Sequence, residues 1–177
     1  QPVKRLVFSA LFIAFGLVLP SLFHAVGMAG PIFSPMHIPV LLAGLTLGPV
    51  AGLTVGLLTV LLSSLLTGMP PLTAPVFFMM LVELPVYGLV AGLLAQRRVN
   101  LIISLVAAMV AGRVAFGLAA LVVGLFMPIP ATPVAMVVGG VVSGLPGIIL
   151  HLFVVPLLAA VLNRTPVGML TREEAHR

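Results

Sequence analysis

The side chains that could bind a ligand or a metal are concentrated in one stretch of this sequence, residues 23–44 (FHAVGMAGPIFSPMHIPVLLAG). Two histidines and three methionines, in it or in a later loop, are the candidate contacts: His24, His37, Met28, Met36 and Met69. Neutral imidazole is a common metal ligand, and His or Met side chains can be axial ligands of a porphyrin iron. We expect both histidine side chains to face one pocket. Alternatively, His24 caps a helix end and His37 forms a hydrogen bond with a loop carbonyl, which would explain the two residues equally well.

Two ionisable residues, Glu83 and Arg113, lie deep inside apolar stretches, where charge is costly and usually functional. Counted from the ends of the predicted helices, their depths are roughly 15 and 20 Å at 1.5 Å per residue. They could therefore form a buried salt bridge with each other, or either could reach a ligand carboxylate or amide. Tyr87, the only tyrosine, is a further candidate contact. We expect His151 to lie nearer the cytoplasm and to serve packing or hydrogen bonding.

The composition is that of an integral membrane protein. Hydrophobic residues make up 62% of the 177 residues and charged residues 6%, whereas a soluble domain carries about 25% charged residues. The net charge of +5 comes from scattered single and paired residues, which usually report topology and do not form a nucleic-acid-binding patch. The chain has no cysteine, which excludes disulfides and thiolate metal sites.

The pattern predicts an all-α, polytopic membrane protein in which residues 1–177 form a single transmembrane domain. Six spans are expected, at about 5–25, 36–47, 50–66, 72–95, 101–126 and 134–162. We expect the first to be retained, because no clean signal-peptide cleavage site follows it. The second and third are short and joined by Gly48-Pro49. Such interrupted segments often mark transporter binding sites, although a simple helical hairpin has the same pattern.

Six spans place the basic residues of the interhelical segments on one side of the membrane. That side is predicted to be the cytoplasm, because basic residues are retained there, and both termini would then be cytoplasmic. The basic clusters are Lys4/Arg5, Arg97/Arg98 and Arg164. The opposite side carries three uncharged loops rich in Pro or Gly, at 26–35, 67–71 and 127–133.

Two segments, residues 34–72 (SPMHIPVLLAGLTLGPVAGLTVGLLTVLLSSLLTGMPPL) and 83–94 (ELPVYGLVAGLL), resemble the substrate-binding S components of energy-coupling-factor (ECF) transporters. The resemblance implies a six-helix protein of the prokaryotic plasma membrane that captures a vitamin or related micronutrient outside. Its implied partners are a transmembrane coupling subunit and two ATPases. The branch it is most similar to is associated with corrinoid or haem uptake. A cobalamin-binding group of this family holds cobalt through a cysteine, a mode that this cysteine-free chain excludes.

The resemblance also implies a docking surface on the first helix. Ala10 and Ala14 are small residues four apart, so they share one helix face and permit close approach of another helix. In the family, an Ala-x-x-x-Ala motif in the first helix contacts the coupling subunit. Ordinary packing inside the bundle is the alternative.

Together with these residues, the resemblance implies a transport subunit that captures haem or cobalamin and has no catalytic cofactor. Any metal would contact His24 or His37 as part of that ligand. An S component for another vitamin, of the pantothenate, riboflavin or folate class, is the alternative. An intramembrane enzyme is less favoured, because Glu83 is the only acidic residue inside a predicted span and the sequence has no His-Glu-x-x-His motif. A channel would usually need more polar helices than this chain has. ATP hydrolysis is expected to occur in partner subunits, because this sequence has no phosphate-binding Gly-x-x-x-x-Gly-Lys-Ser/Thr loop.

Overall fold

The computed structural model of this protein describes residues 2–24, 32–162 and 164. Within these residues it contains seven α-helices and no strand. In chain order they are α1 (Pro2–His24), α2 (His37–Leu47), α3 (Pro49–Thr67), α4 (Pro75–Gln96), α5 (Leu101–Val123), α6 (Pro133–Ser143) and α7 (Leu145–Leu162).

Five of these helices, α1, α3, α4, α5 and α7, are long and apolar enough to cross a bilayer. The other two, α2 and α6, have 11 residues each. At 1.5 Å per residue each measures about 16 Å, roughly half of a ~30 Å hydrocarbon core. The chain is thus an all-helical, multi-pass membrane protein, while the sixth span stays a prediction.

The main difference from the sequence-based prediction concerns residues 134–162, which were expected to form one helix. The structure divides them into α6 and α7 at Gly144. Pro146 follows two residues later, and proline has no N–H to bond the carbonyl four residues earlier. A proline is tolerated in the first turn of a helix, so a new helix begins at Leu145. Gly144 and Pro146 are visible in the sequence as a possible helix break, but the prediction of one helix gave more weight to the uninterrupted hydrophobicity of residues 134–162.

Helix α2 lies at the centre of the bundle. All of its residues except Leu45 are buried, and it contacts α1, α3, α4 and α7. A helix that is apolar on every side is expected to be enclosed by others. The prediction of a short second helix ending at Leu47 is confirmed.

Glycines allow α2, α3 and α4 to approach one another closely. A Cβ atom on Gly52 would lie 2.6 Å from the carbonyl carbon of Gly88, and Gly44 faces the same glycine. A Cβ on Gly92 would lie 2.5 Å from the Cα of Pro49. Membrane helices commonly pack through such small residues. These contacts place the Gly48-Pro49 break at the end of the bundle where α4 finishes.

Candidate ligand-binding site

A cavity of about 430 Å³ lies at the end of the bundle opposite the Gly48-Pro49 break. The segments preceding α2 and α4 form part of its wall, α4, α5 and α6 supply most of the remainder, and α1, α2 and α3 contribute one residue each. Its lining residues are Pro20, Ser34, Pro35, Met36, His37, Ser63, Met69, Pro70, Pro71, Val76, Met80, Glu83, Arg113, Phe116, Gly140 and Ser143. Mostly apolar walls with a few convergent polar groups, at this volume, are typical of small-molecule sites.

An ion pair between α4 and α5 supplies the charged groups of this cavity. Arg113 Nη1 lies 3.1 Å from Glu83 Oε1, which confirms that the two side chains can pair. The Glu83 side chain is 3% exposed and that of Arg113 20%. The contact lacks the alignment of a hydrogen bond, because Glu83 Oε1 accepts none. Both residues line the cavity, so the pair joins α4 to α5 within the cavity wall.

The guanidinium is positioned by neighbours from two helices. Its carbon atom lies 5.9 Å from the centroid of the Phe116 ring, in a cation–π arrangement. A Cβ on Gly140 of α6 would lie 3.2 Å from Arg113 Nη1. The absence of a side chain at Gly140 therefore gives the guanidinium room. Sequence reasoning missed this contribution of α6, because it treated residues 134–162 as one helix.

Two histidines share one backbone acceptor beside the cavity. His37 Nδ1 lies 3.1 Å from the carbonyl oxygen of Ser34, and His151 Nε2 lies 3.2 Å from the same oxygen. A carbonyl only accepts, so each of these nitrogens carries the proton and donates. The two rings stack with their centroids 5.9 Å apart. Ser34 has φ of 44°, in the left-handed region that residues other than glycine rarely adopt.

The protonation of His37 at Nδ1 has a consequence for its other ring nitrogen. In the neutral ring, Nε2 carries a lone pair and can only accept. Nε2 is buried and has no hydrogen-bond partner among the described residues. The ring itself is held edge-on against Tyr87, with centroids 4.8 Å apart. The His37 ring is thus held in the cavity wall by Ser34 and Tyr87, with Nε2 as an acceptor in its neutral form.

The expected depth of His151 is wrong, whereas its expected hydrogen-bonding role is confirmed. It lies beside His37 and Ser34, next to the cavity, and not toward the end of the bundle that holds the Gly48-Pro49 break. The cause is again the helix break: α7 begins at Leu145, so His151 is in its second turn. Gly147, one turn earlier, lets α7 approach the backbone of residues 32–33, since a Cβ there would lie 2.7 Å from the carbonyl oxygen of Ile32.

The remaining candidate contacts fall into three groups. Met36 and Met69 line the cavity. Tyr87 lies behind it, where it interacts with Glu83 and Arg113 and packs on Gly112. Met28 and the side chain of His24 lie outside the part of the chain that the structure describes. Ligand contact by all of these residues stays a prediction.

Helix α1 presents Ala10 and Ala14 on its exposed face. Large apolar residues are exposed around them, namely Leu6, Val7, Leu11, Phe15 and Val18. The opposite face, with Phe12 and Gly16, is buried, and a Cβ on Gly16 would lie 2.5 Å from the Thr59 side chain. Packing inside the bundle therefore does not account for the two alanines.

Comparison with known proteins identifies a family. Residues 4–159 match the family model described as ECF transporter, substrate-specific component, which covers nearly the whole chain. Neither the comparison with curated proteins nor that with solved structures found a match. Within the described residues, no three His, Cys, Asp or Glu side chains are grouped as they would be around a metal ion.

Proposed function

This chain belongs to the ECF transporter substrate-specific component family, and on that premise we propose that it is the substrate-binding subunit of an ECF importer. It captures a micronutrient in the cavity above Glu83 and Arg113 and has no catalytic role of its own. A coupling transmembrane subunit and ATPase subunits supply the energy. The observation that supports this most directly is the cavity itself, which combines apolar walls with a buried ion pair and an imidazole.

We propose that the cavity opens toward the outside of the cell. Arg97 and Arg98 follow α4 at the end of the bundle where Gly48 turns the chain. Basic residues at the ends of spans are retained in the cytoplasm. The segments that wall the cavity lie at the opposite end and carry no basic residue, so the ligand enters from the extracytoplasmic side.

Two ligand classes have support from specific features. The resemblance to S components of the corrinoid and haem branch, with the His37 imidazole in the cavity wall, supports a tetrapyrrole. The volume of about 430 Å³, in the lower part of the range for small-molecule pockets, supports a compact vitamin. Cobalamin, with its corrin ring and nucleotide loop, is far larger than this cavity.

Ligand titration of the purified protein in detergent tests the proposed function. The panel is haem, cobalamin and the water-soluble vitamins, followed by thermal shift and calorimetry. Binding of one member at micromolar concentration or below, lost in a variant of the ion pair, supports the proposal. A Soret band that shifts in His37→Ala would identify haem as the ligand. Binding of no member would overturn the assignment of the cavity as a micronutrient site.

For the partner, we propose that the coupling subunit docks on the exposed face of α1 around Ala10 and Ala14. Small residues at these positions let a second helix approach closely. Ala14→Leu should prevent co-purification with a co-expressed coupling module and leave ligand binding intact. Ala135→Leu, at an exposed alanine of α6, is the matched control and should assemble normally. Normal assembly of Ala14→Leu and Ala10→Leu would contradict this docking surface.

A further inference from the structure

The charges in the cavity wall cancel. Among its described lining residues the only charged side chains are Glu83 and Arg113, which lie 3.1 Å apart. Residues 25–31, outside the described part, carry no ionisable side chain, and His24, whose side chain is also outside it, is counted as neutral at pH 7. Counted as neutral imidazole at pH 7, His37 donates from Nδ1 to the Ser34 carbonyl and carries a lone pair on Nε2. A ligand with net charge would therefore have no countercharge, and an unpaired buried charge is strongly unfavourable.

Unlike the charges, the hydrogen-bond acceptors of the cavity wall are not all matched by donors within the protein. His37 Nε2 is a buried acceptor with no hydrogen-bond partner within the described structure, while Glu83 Oε1 accepts no aligned hydrogen bond and is matched only by the ion pair with Arg113. Buried polar atoms of this kind are rare in native proteins, and each calls for a partner. Arg113 offers the complementary chemistry, because its guanidinium carries five N–H donors and its side chain is 20% exposed.

From these two observations we propose that the ligand is a compact, electrically neutral molecule that carries an N–H or O–H donor beside an acceptor. The donor binds His37 Nε2 or the Glu83 carboxylate, and the acceptor binds the Arg113 guanidinium. Apolar parts of the ligand lie against Met36, Met80 and Phe116, which also line the cavity. This inference rests on the proposed function, and it selects against haem, whose two propionates would bring unpaired negative charge.

The test uses wild-type protein in detergent and ligand pairs that differ in one feature. Nicotinamide against nicotinate and pyridoxine against 4-pyridoxate compare neutral molecules with charged relatives, alongside thiamin, pantothenate and haem. For the tightest neutral binder, the derivative methylated at its donor is then measured by calorimetry. We expect charged relatives to bind at least about tenfold more weakly. Methylation should weaken binding about ten- to a hundredfold, the range for a hydrogen bond to a charged or buried group.

Substitutions in the cavity wall identify the side chain that accepts the hydrogen bond from the ligand. Glu83→Gln or His37→Phe should reduce affinity for the neutral binder by about tenfold or more. Thr54→Val, which removes an exposed hydroxyl bonded within α3, is the control and should leave affinity unchanged. If Glu83→Gln does not fold, the methylated ligand still tests the same contact.

The outcomes separate this inference from the proposed function. Tight binding of only charged members, or equal affinity for the methylated derivative, overturns the inference and leaves the binding-subunit assignment standing. Binding of no panel member overturns both. Selective binding of neutral, donor-bearing members, weakened in the two cavity variants, establishes the ligand class.

Discussion

The ion pair between Glu83 and Arg113 leads to the most exacting prediction about this fold. Breaking a buried pair costs about 3–5 kcal/mol, because the remaining charge stays buried without its partner. Glu83 is 3% exposed and Arg113 20%, so the two single variants should differ. Arg113→Met leaves a carboxylate with almost no access to water and should cost about 3–5 kcal/mol of unfolding free energy. Glu83→Gln leaves a guanidinium that can reach the cavity, and about 1–3 kcal/mol is expected.

The double variant Glu83→Gln/Arg113→Met removes both charges and closes the thermodynamic cycle. Its destabilisation should be smaller than the sum of the single variants by about 1–3 kcal/mol, the coupling expected of side chains in direct contact. Unfolding can be driven by SDS in mixed micelles and followed by circular dichroism, which suits a chain without tryptophan. Additive single-variant effects, or a smaller loss for Arg113→Met than for Glu83→Gln, would refute the structural reasoning.

Two further predictions concern packing and the wall of the site. Gly88→Ala should destabilise the bundle by about 1–3 kcal/mol or more, because the added Cβ would meet the Gly52 backbone. The control is Gly139→Ala, whose added Cβ has open space around it. It should change the unfolding free energy by less than about 1 kcal/mol in the same assay. His151→Phe removes one donor to the Ser34 carbonyl and should loosen that segment by about 1 kcal/mol. In this cysteine-free chain, a Ser34→Cys reporter should then react about fivefold faster with a polar maleimide; an unchanged rate would show that His151 does not hold the segment.

The pairing of Glu83 with Arg113 was accessible from the sequence, because depth along a helix follows from residue count. The short α2 was accessible for a similar reason, since Gly48-Pro49 ends it. The role of His151 was not. Its depth was counted along one uninterrupted helix, and the contact with Ser34 joins residues 117 positions apart. Contacts of that range depend on how helices pack, which hydrophobic pattern alone does not determine.

The two short helices explain where the site is. Helix α2 begins at His37. Its first residue and the segment that precedes it therefore line the cavity and are not part of a membrane-spanning helix. Because α6 ends at Ser143, Gly140 lies against the Arg113 guanidinium, and α7 can start afresh with His151 facing Ser34. Short, glycine- and proline-interrupted segments in transporters commonly surround the binding site. In this chain the interruption at Gly144-Pro146 has that effect, because it ends α6 beside the Arg113 guanidinium, whereas the Gly48-Pro49 break lies at the opposite end of the bundle.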